Sequence, residues 1–309
     1  MIKSIRLALP FLLTLGATTL LAGPKEMAIT PSPTPPPEGI TPLGHRLQME
    51  ASYVGSGEVS GSNLNNGEVS SIDSLVRYSY GHRFGRAFTL GLGFEWQRFS
   101  FGYEDSFGLL PNTLQSVSAI VSAEMFFSKQ WLAFAAIRPG IFSDWEDIST
   151  DDFSMSGLVV TAYRQSETLT WFGGFTFDLH RDFPVIPVIG LRWKFAPDWQ
   201  LELAAPRSSI RYEFMPGWEV FGVAGYKGDA YRLGKTFGSD SVWPILNNAW
   251  LTYREVRTGA GVKYSWNDTV EFRVEGGAVV WRQFNYDSIG VDLTADPAPF
   301  VSAGLNIRF

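Results

Sequence analysis

Residues 188–226 read VIGLRWKFAPDWQLELAAPRSSIRYEFMPGWEVFGVAGY. Apolar side chains take alternate positions: Ile189, Leu191, Trp193 and Phe195, then Trp199, Leu201 and Leu203, then Ile210, Tyr212 and Phe214. Between them stand Arg192 and Lys194, Gln200 and Glu202, Arg211 and Glu213. Successive residues of a strand point to opposite faces, so one face is bulky and apolar and the other carries full charges. Ala196-Pro-Asp198, Pro206-Arg-Ser-Ser209 and Met215-Pro-Gly217 break the run into short antiparallel strands. A soluble sandwich would bury the apolar face under a second sheet. A transmembrane barrel turns it to lipid and the charges to a wet lumen.

Composition agrees with the barrel. The 309 residues are 15% aromatic, include 31 glycines, and are only 18% charged. The one long apolar run is N-terminal, whereas each helical span needs about 20 apolar residues. A net charge of −6 argues against nucleic-acid binding, and the absence of cysteine excludes thiol catalysis and thiolate metal sites.

Residues 1–23 read as a secretory signal, with Lys3 and Arg6 ahead of the run Leu7 to Leu21. Residues 24–42 are proline-rich and read as an extended periplasmic linker. Residues 43–309 then repeat the alternation. Leu47, Met49, Ala51 and Tyr53 oppose Arg46, Gln48, Glu50 and Ser52; Phe88, Leu90, Leu92, Phe94 and Trp96 oppose Thr89, Gly91, Gly93, Glu95 and Gln97. A Gly/Ser/Asn-rich loop is expected at 56–70, and a bulge between Tyr253 and Val256, where the apolar phase changes.

The expectation is an all-β, antiparallel up-and-down transmembrane barrel of about fourteen strands, with twelve or sixteen as alternatives. Connections alternate between long (56–70, 100–113, 143–153, 179–184, 228–248, 285–297) and short (83–86, 128–129, 165–167, 196–198, 216–217, 267–268); 206–208 is the exception. Bacterial barrels have short periplasmic turns and long outer loops, which puts both termini in the periplasm. Trp131, Trp199, Trp218 and Trp266 flank short turns and would form the periplasmic aromatic girdle.

The final strand alternates Val301, Ala303, Leu305, Ile307 and Phe309 with Ser302, Gly304, Asn306 and Arg308. It resembles the C-terminal signal that outer-membrane proteins present to the barrel-assembly machinery. Further upstream, FPVIPVIG at 183–190, APDW at 196–199, Pro206, Tyr212, AYR at 230–232, the segment Tyr253–Gly261 and WRQF at 281–284 resemble a family of uncharacterised bacterial outer-membrane β-barrel proteins. That resemblance implies a fold and a place among outer-membrane lipid and lipopolysaccharide. It implies no reaction.

Candidate lumen charges are Glu95, Arg138, Arg192, Lys194, Glu202, Arg211, Glu213, Lys263, Glu271, Arg273 and Glu275. The turn at Ala196–Asp198 predicts a row Arg192–Glu202–Arg211, and the turn at Asn267–Asp268 predicts Lys263 opposite Glu271. The segment Gly228–Asn248 is the candidate plug. DWEDISTDD at 144–152 is read as a solvated acidic loop, with Ca²⁺ through its oxygens as the alternative. No catalytic residue, cofactor site or metal site is assigned.

The leading functional reading is passive diffusion of small hydrophilic solutes through a charged lumen. A plugged structural or surface-interaction barrel is the alternative, and a rim hydrolase at Asp178 and His180 a third. No stripe of residues identifies an oligomer contact.

Overall fold

The computed structural model describes residues 40–309 apart from 42, 62–63, 105–108, 181–183, 241–242 and 287–288. The expected signal and nearly all of the proline-rich segment lie outside the described residues. The strands are β1 (Gly44–Gly61), β2 (Leu64–Phe84), β3 (Phe88–Glu104), β4 (Thr113–Phe126), β5 (Trp131–Ser143), β6 (Phe153–Arg164), β7 (Leu169–Asp178), β8 (Val185–Ala196), β9 (Trp199–Leu203), β10 (Arg207–Met215), β11 (Trp218–Arg232), β12 (Trp250–Ser265), β13 (Val270–Tyr286), β14 (Val291–Ala295) and β15 (Ala298–Arg308). One helical turn, α1 (Phe237–Asp240), lies between β11 and β12.

Strands pair antiparallel in chain order, and β1 closes the ring on β15, from Arg46 opposite Arg308 to Val54 opposite Phe300. β14 and β15 share one place in the wall, since each pairs with both β13 and β1. Asp296 and Pro297 part them: proline has no N–H to give, while the Asp296 N–H reaches the Glu58 carbonyl at 2.9 Å. The result is a closed fourteen-stranded antiparallel barrel.

The pleat sorts the side chains as the alternation requires. Ile72, Leu92, Phe94, Val274 and Val301 are exposed on the outside, while Asp73, Glu95, Gln97 and Glu124 are buried inside. A one-residue slip would turn a whole strand's charges outward, and Arg or Lys at bilayer mid-depth costs roughly 2–4 kcal/mol each. Both chain ends of the barrel sit at the short-turn end, where the His45 N–H donates to the Phe309 carbonyl at 2.9 Å.

Three expectations need correcting. The 56–70 loop is strand: β1 and β2 keep pairing through Gly57–Val69 to Gly61–Leu64, with register shifts, because Val59 and Val69 have an apolar core to enter. The phase change in β12 is not a bulge in that strand. Leu251, Tyr253, Glu255 and Arg257 all face inward, and the extra residue, Val280, belongs to β13. The apolar phase moved because the inner wall itself becomes apolar toward the long-loop end. Third, Lys263 opposes Arg273, and Glu271 opposes Ser265. The Asn267 side-chain oxygen accepts from the Thr269 and Val270 N–H groups at 2.8 Å each, which shifts the centre of that turn by one residue.

Candidate permeation pathway

The long-loop end of the lumen is filled. Phe99 and Phe101 of β3, Phe142 of β5, Tyr231 of β11, Tyr253 of β12 and Phe284 of β13 point inward and are buried. The Tyr253 ring lies 4.9 Å from Phe99, 5.4 Å from Phe101 and 5.0 Å from Phe284, in edge-on or tilted contact. Leu109 and Leu110 enter from the β3–β4 connection; Leu233, Phe237 and Leu246 enter from the β11–β12 connection. The predicted plug segment therefore does contribute to this seal, through Leu233, Phe237 and Leu246.

The seal is clasped to the acidic loop. The Asp144 carboxylate accepts the Gly234 N–H at 2.7 Å, the Asp144 N–H donates to the Arg232 carbonyl, and Arg232 pairs with Asp151 and Asp152 while Lys235 pairs with Asp147. Burial pushes the Asp144 carboxyl above its ordinary value, against the pull of its two backbone donors, Gly234 and Glu146. The carboxylates of Asp144, Asp147, Asp151 and Asp152 are thus engaged by cations and amides. Among the described residues no group of acidic or histidine side chains is placed to hold a metal.

This clasp brings the end of β11 onto the end of β5, with Arg232 opposite Ser143. At the short-turn end five strands, β6 to β10, stand between those two. The hairpin of β9 and β10 is too short to follow: it turns back at Ala204–Pro206. On β8, pairing with β9 stops at Leu191, so Val185 to Gly190 pair with β7 alone. On β11 the last link to β10 is the Tyr226 N–H to the Pro206 carbonyl at 2.8 Å. The wall between β8 and β11 is therefore open over six residues, about 20 Å along the strand.

The free edge is chemically blunted. The backbone N–H of Asp178 donates to the Pro184 carbonyl and that of Lys194 to the Thr168 carbonyl, so even-numbered β8 residues bond to β7. The main-chain groups of Val185, Pro187 and Ile189 then face the gap, and Pro187 has no N–H to leave unpaired there. Ile189 is 82% exposed, and Ile186, which faces inward, is still 42% exposed.

Behind the gap lies a cavity of about 590 Å³. Ile186, Val188, Phe177 and Tyr226 give it an apolar side. The opposite side is ionic: Arg138 binds Glu95 and Asp229 at 2.6 Å each, Arg77 also binds Glu95, and Lys227 reaches Glu50 at 2.8 Å and Asp73 at 2.6 Å. Arg77, Arg138 and Pro206 also line a second cavity of about 460 Å³, which in turn shares Arg46 and Pro206 with a third of about 510 Å³ at the short-turn end. The three cavities thus follow one another along the inner wall, from the wall gap toward the short-turn end. The segment before β1 folds into it: Thr41 is buried, and the N–H groups of Ile40 and Thr41 both donate to the Glu124 carboxylate.

Of the charges singled out from sequence, Glu95 and Arg138 sit in the middle layer. Arg192 and Arg211 share Glu202 at 3.3 and 2.7 Å, forming the expected row. Arg273 shares Glu275 with Arg207, and Lys263 takes Glu219 at 3.1 Å rather than Glu271. Lys194 and Glu213 are exposed near the short-turn rim. Glu50, Asp73, Arg77, Asp229, Glu255 and Arg257 also stand in the interior without having been singled out, together with Lys227, which was expected beside the plug segment. Their strand positions were readable for Arg77 and Asp73, whereas Asp229 was placed in the expected connection 228–248, of which β11 in fact takes residues 228–232.

The four tryptophans are exposed at the short-turn end, three of them on cross-strand tyrosines: Trp131 on Tyr163, Trp199 on Tyr212 and Trp218 on Tyr264, with ring centres 4.8, 4.7 and 4.4 Å apart. At the other end the His180 ring stacks on Trp250 at 3.7 Å, and its Nδ1 lies 3.0 Å from the Ser154 hydroxyl. Asp178 accepts the His180 backbone N–H, not its ring, and Ser154 is buried. The relay of a hydrolytic triad, in which the carboxylate holds the imidazole, is not formed.

Residues 76–308 match the family described as a domain of unknown function, DUF6268. The chain belongs to this family. No curated protein matches it in sequence. Among solved structures it is similar to the COG4313 outer membrane channel from Pseudomonas putida F1 (10% identity, 91% of this chain and 100% of that one, TM-score 0.47). It is also similar to the P. putida toluene transporter TodX (10%, 87% and 91%, 0.46) and to a Pseudomonas aeruginosa FadL homologue (8%, 86% and 90%, 0.47).

Proposed function

We propose that this DUF6268 protein is a passive outer-membrane channel whose solutes pass between the bilayer side and the short-turn mouth through the gap in its wall. The observation that carries the reading is the unpartnered edge of β8 facing β11 beside a sealed long-loop end. An open strand edge in lipid is costly unless water or a solute meets it. The apolar band on the outside supports an outer-membrane location. The short turns, the Trp–Tyr pairs and the paired chain ends support a periplasmic short-turn end, with Val301 to Phe309 as the strand read by the assembly machinery.

The charged interior suits hydrophilic solutes only along the short-turn half. The gap side suits molecules with an apolar part. The chain has no cysteine, so a single one can be placed at the gap. Ile186→Cys, labelled with a bulky maleimide, is expected to slow uptake of N-phenylnaphthylamine into proteoliposomes at least fivefold, on the order of a 1 kcal/mol barrier. The same label at Val301→Cys, on the outside of another strand, leaves uptake unchanged. Equal uptake for labelled and unlabelled Ile186→Cys would overturn the lateral route.

A second reading, a plugged barrel with a structural or surface role, is favoured by the apolar seal alone. It predicts no uptake above protein-free vesicles.

A further inference from the structure

The short-turn cavity carries a charge imbalance that the protein does not resolve within itself. Arg46, Arg207, Arg211, Lys263, Arg273 and Arg308 line it. The carboxylates available to them are Glu202, Glu219, Glu271 and Glu275. Arg192 also draws on Glu202, so the excess is of cations. The whole chain has the opposite sign, −6, so this positive chamber is a local feature.

The arrangement within the chamber is more telling than the count. Arg46 and Arg308 are direct cross-strand partners at the β1–β15 seam, and both face inward. Lys263 and Arg273 are direct partners between β12 and β13, also inward. Like charges in directly opposed positions destabilise a sheet. The second pair is relieved by Glu219 and Glu275. The first is not. Arg46 spends its Nε on the neutral Asn306 side chain at 2.7 Å, and among the described residues no carboxylate lies within 4 Å of Arg46 or Arg308. Glu271 lines the same cavity and attracts Arg46 across it, but it closes no ion pair and the repulsion from Arg308 is the larger effect.

We infer that this chamber is a binding site for a small oxyanion carrying two or more negative charges, of the phosphate or sulfonate class, held chiefly between Arg46 and Arg308. Guanidinium groups bind such oxyanions in a bidentate manner, which accounts for arginine rather than lysine at the seam. An anion there supplies the counter-charge the wall lacks. Solutes bearing such a group are then concentrated at this mouth, and cations are held back. The inference shares only the barrel with the proposed lateral route, and it can be read without any flux.

The test is equilibrium binding to the full-length protein refolded in detergent micelles. The probe is pyranine, a fluorescent pyrene trisulfonate, followed by anisotropy, with inorganic pyrophosphate as competitor. The expected result is saturable pyranine binding displaced by pyrophosphate and weakened by salt. Affinity should fall at least tenfold in Arg46→Gln/Arg308→Gln and rise in Glu271→Gln. Lys194→Gln, at the rim, controls for a general loss of positive charge and should change affinity less than twofold. Heat-modifiable gel mobility reports that each variant is folded. Binding that is absent from the folded wild type, or equal in the folded double variant, overturns the inference. A failed uptake assay with intact pyranine binding overturns the lateral route and leaves the chamber standing.

Discussion

Glu95 shows how much one side chain holds. Its carboxylate is fully buried and takes both Arg77 and Arg138, and Arg138 in turn takes Asp229. Glu95→Gln keeps the shape but leaves two guanidiniums with one carboxylate. Removing one partner of a buried ion pair costs about 3–5 kcal/mol. Urea unfolding of the micelle-bound barrel should show a loss of that order, whereas Glu213→Gln, at the exposed rim, should cost under about 0.5 kcal/mol. His180 makes a second case, through pH. Burial against Trp250 holds its imidazole below the ordinary histidine value of about 6.5, against the pull of Asp178. A depressed folded value means that the native state binds fewer protons than the unfolded one. The stability from this stack is therefore full above about pH 6.5 and is lost as pH falls through the depressed value. Only three histidines exist, so ring NMR in micelles can follow each one. A His180 resonance that titrates at or above the ordinary value sinks this account.

At the scale of the strand, the alternation was enough to place nearly every element, because side-chain period and face are the same fact in a sheet. β3 and β15 are where the alternation of Phe88–Gln97 and Val301–Phe309 puts them. What could not be read was the place where that rule changes meaning. In β12 the apolar residues Leu251 and Tyr253 lie on the same inner face as Glu255 and Arg257, since the interior is charged at one end and packed with apolar side chains at the other. A residue-by-residue polarity pattern cannot tell a bulge from such a switch. The wall gap was hidden for a related reason. The early turn, at Ala204–Pro206 in the structure, was visible as the short connection expected at 206–208 on the long-loop side, but its consequence depends on β11 leaning onto β5, which is a contact across the barrel. The gap makes its own prediction at this scale. The amide of Ile189 faces an unpaired edge and that of Val188 bonds to β7, so hydrogen exchange should be markedly faster at Ile189. Equal protection at the two would mean that a strand or segment covers the edge.

The barrel as a whole is two interiors within one ring of strands. The short-turn half is an ionic, hollow chamber, and the long-loop half is a packed aromatic core closed over by α1 and its flanking residues. Those two states of one lumen have opposite requirements. The charged half stays hydrated, while the aromatic half is stable only because water is excluded; a buried Phe truncated to Ala costs about 3–5 kcal/mol. Straight-through permeation therefore requires the seal to open, and lateral permeation does not. Replacing residues 235–247 with a Gly–Ser segment removes Phe237 and Leu246 from the core and the Lys235–Asp147 pair from the clasp. In planar bilayers the wild type should pass small ions only in brief, low-conductance events, and the replaced protein should show long-lived ohmic steps. Uptake of N-phenylnaphthylamine should be similar for both, because the cavity behind the gap, lined by Tyr226 to Asp229, shares no residue with the seal. Stable ohmic steps from the wild type would mean that the aromatic core does not close the lumen. Loss of uptake on replacing the segment, with the fold intact, would mean that solutes cross the seal rather than the wall.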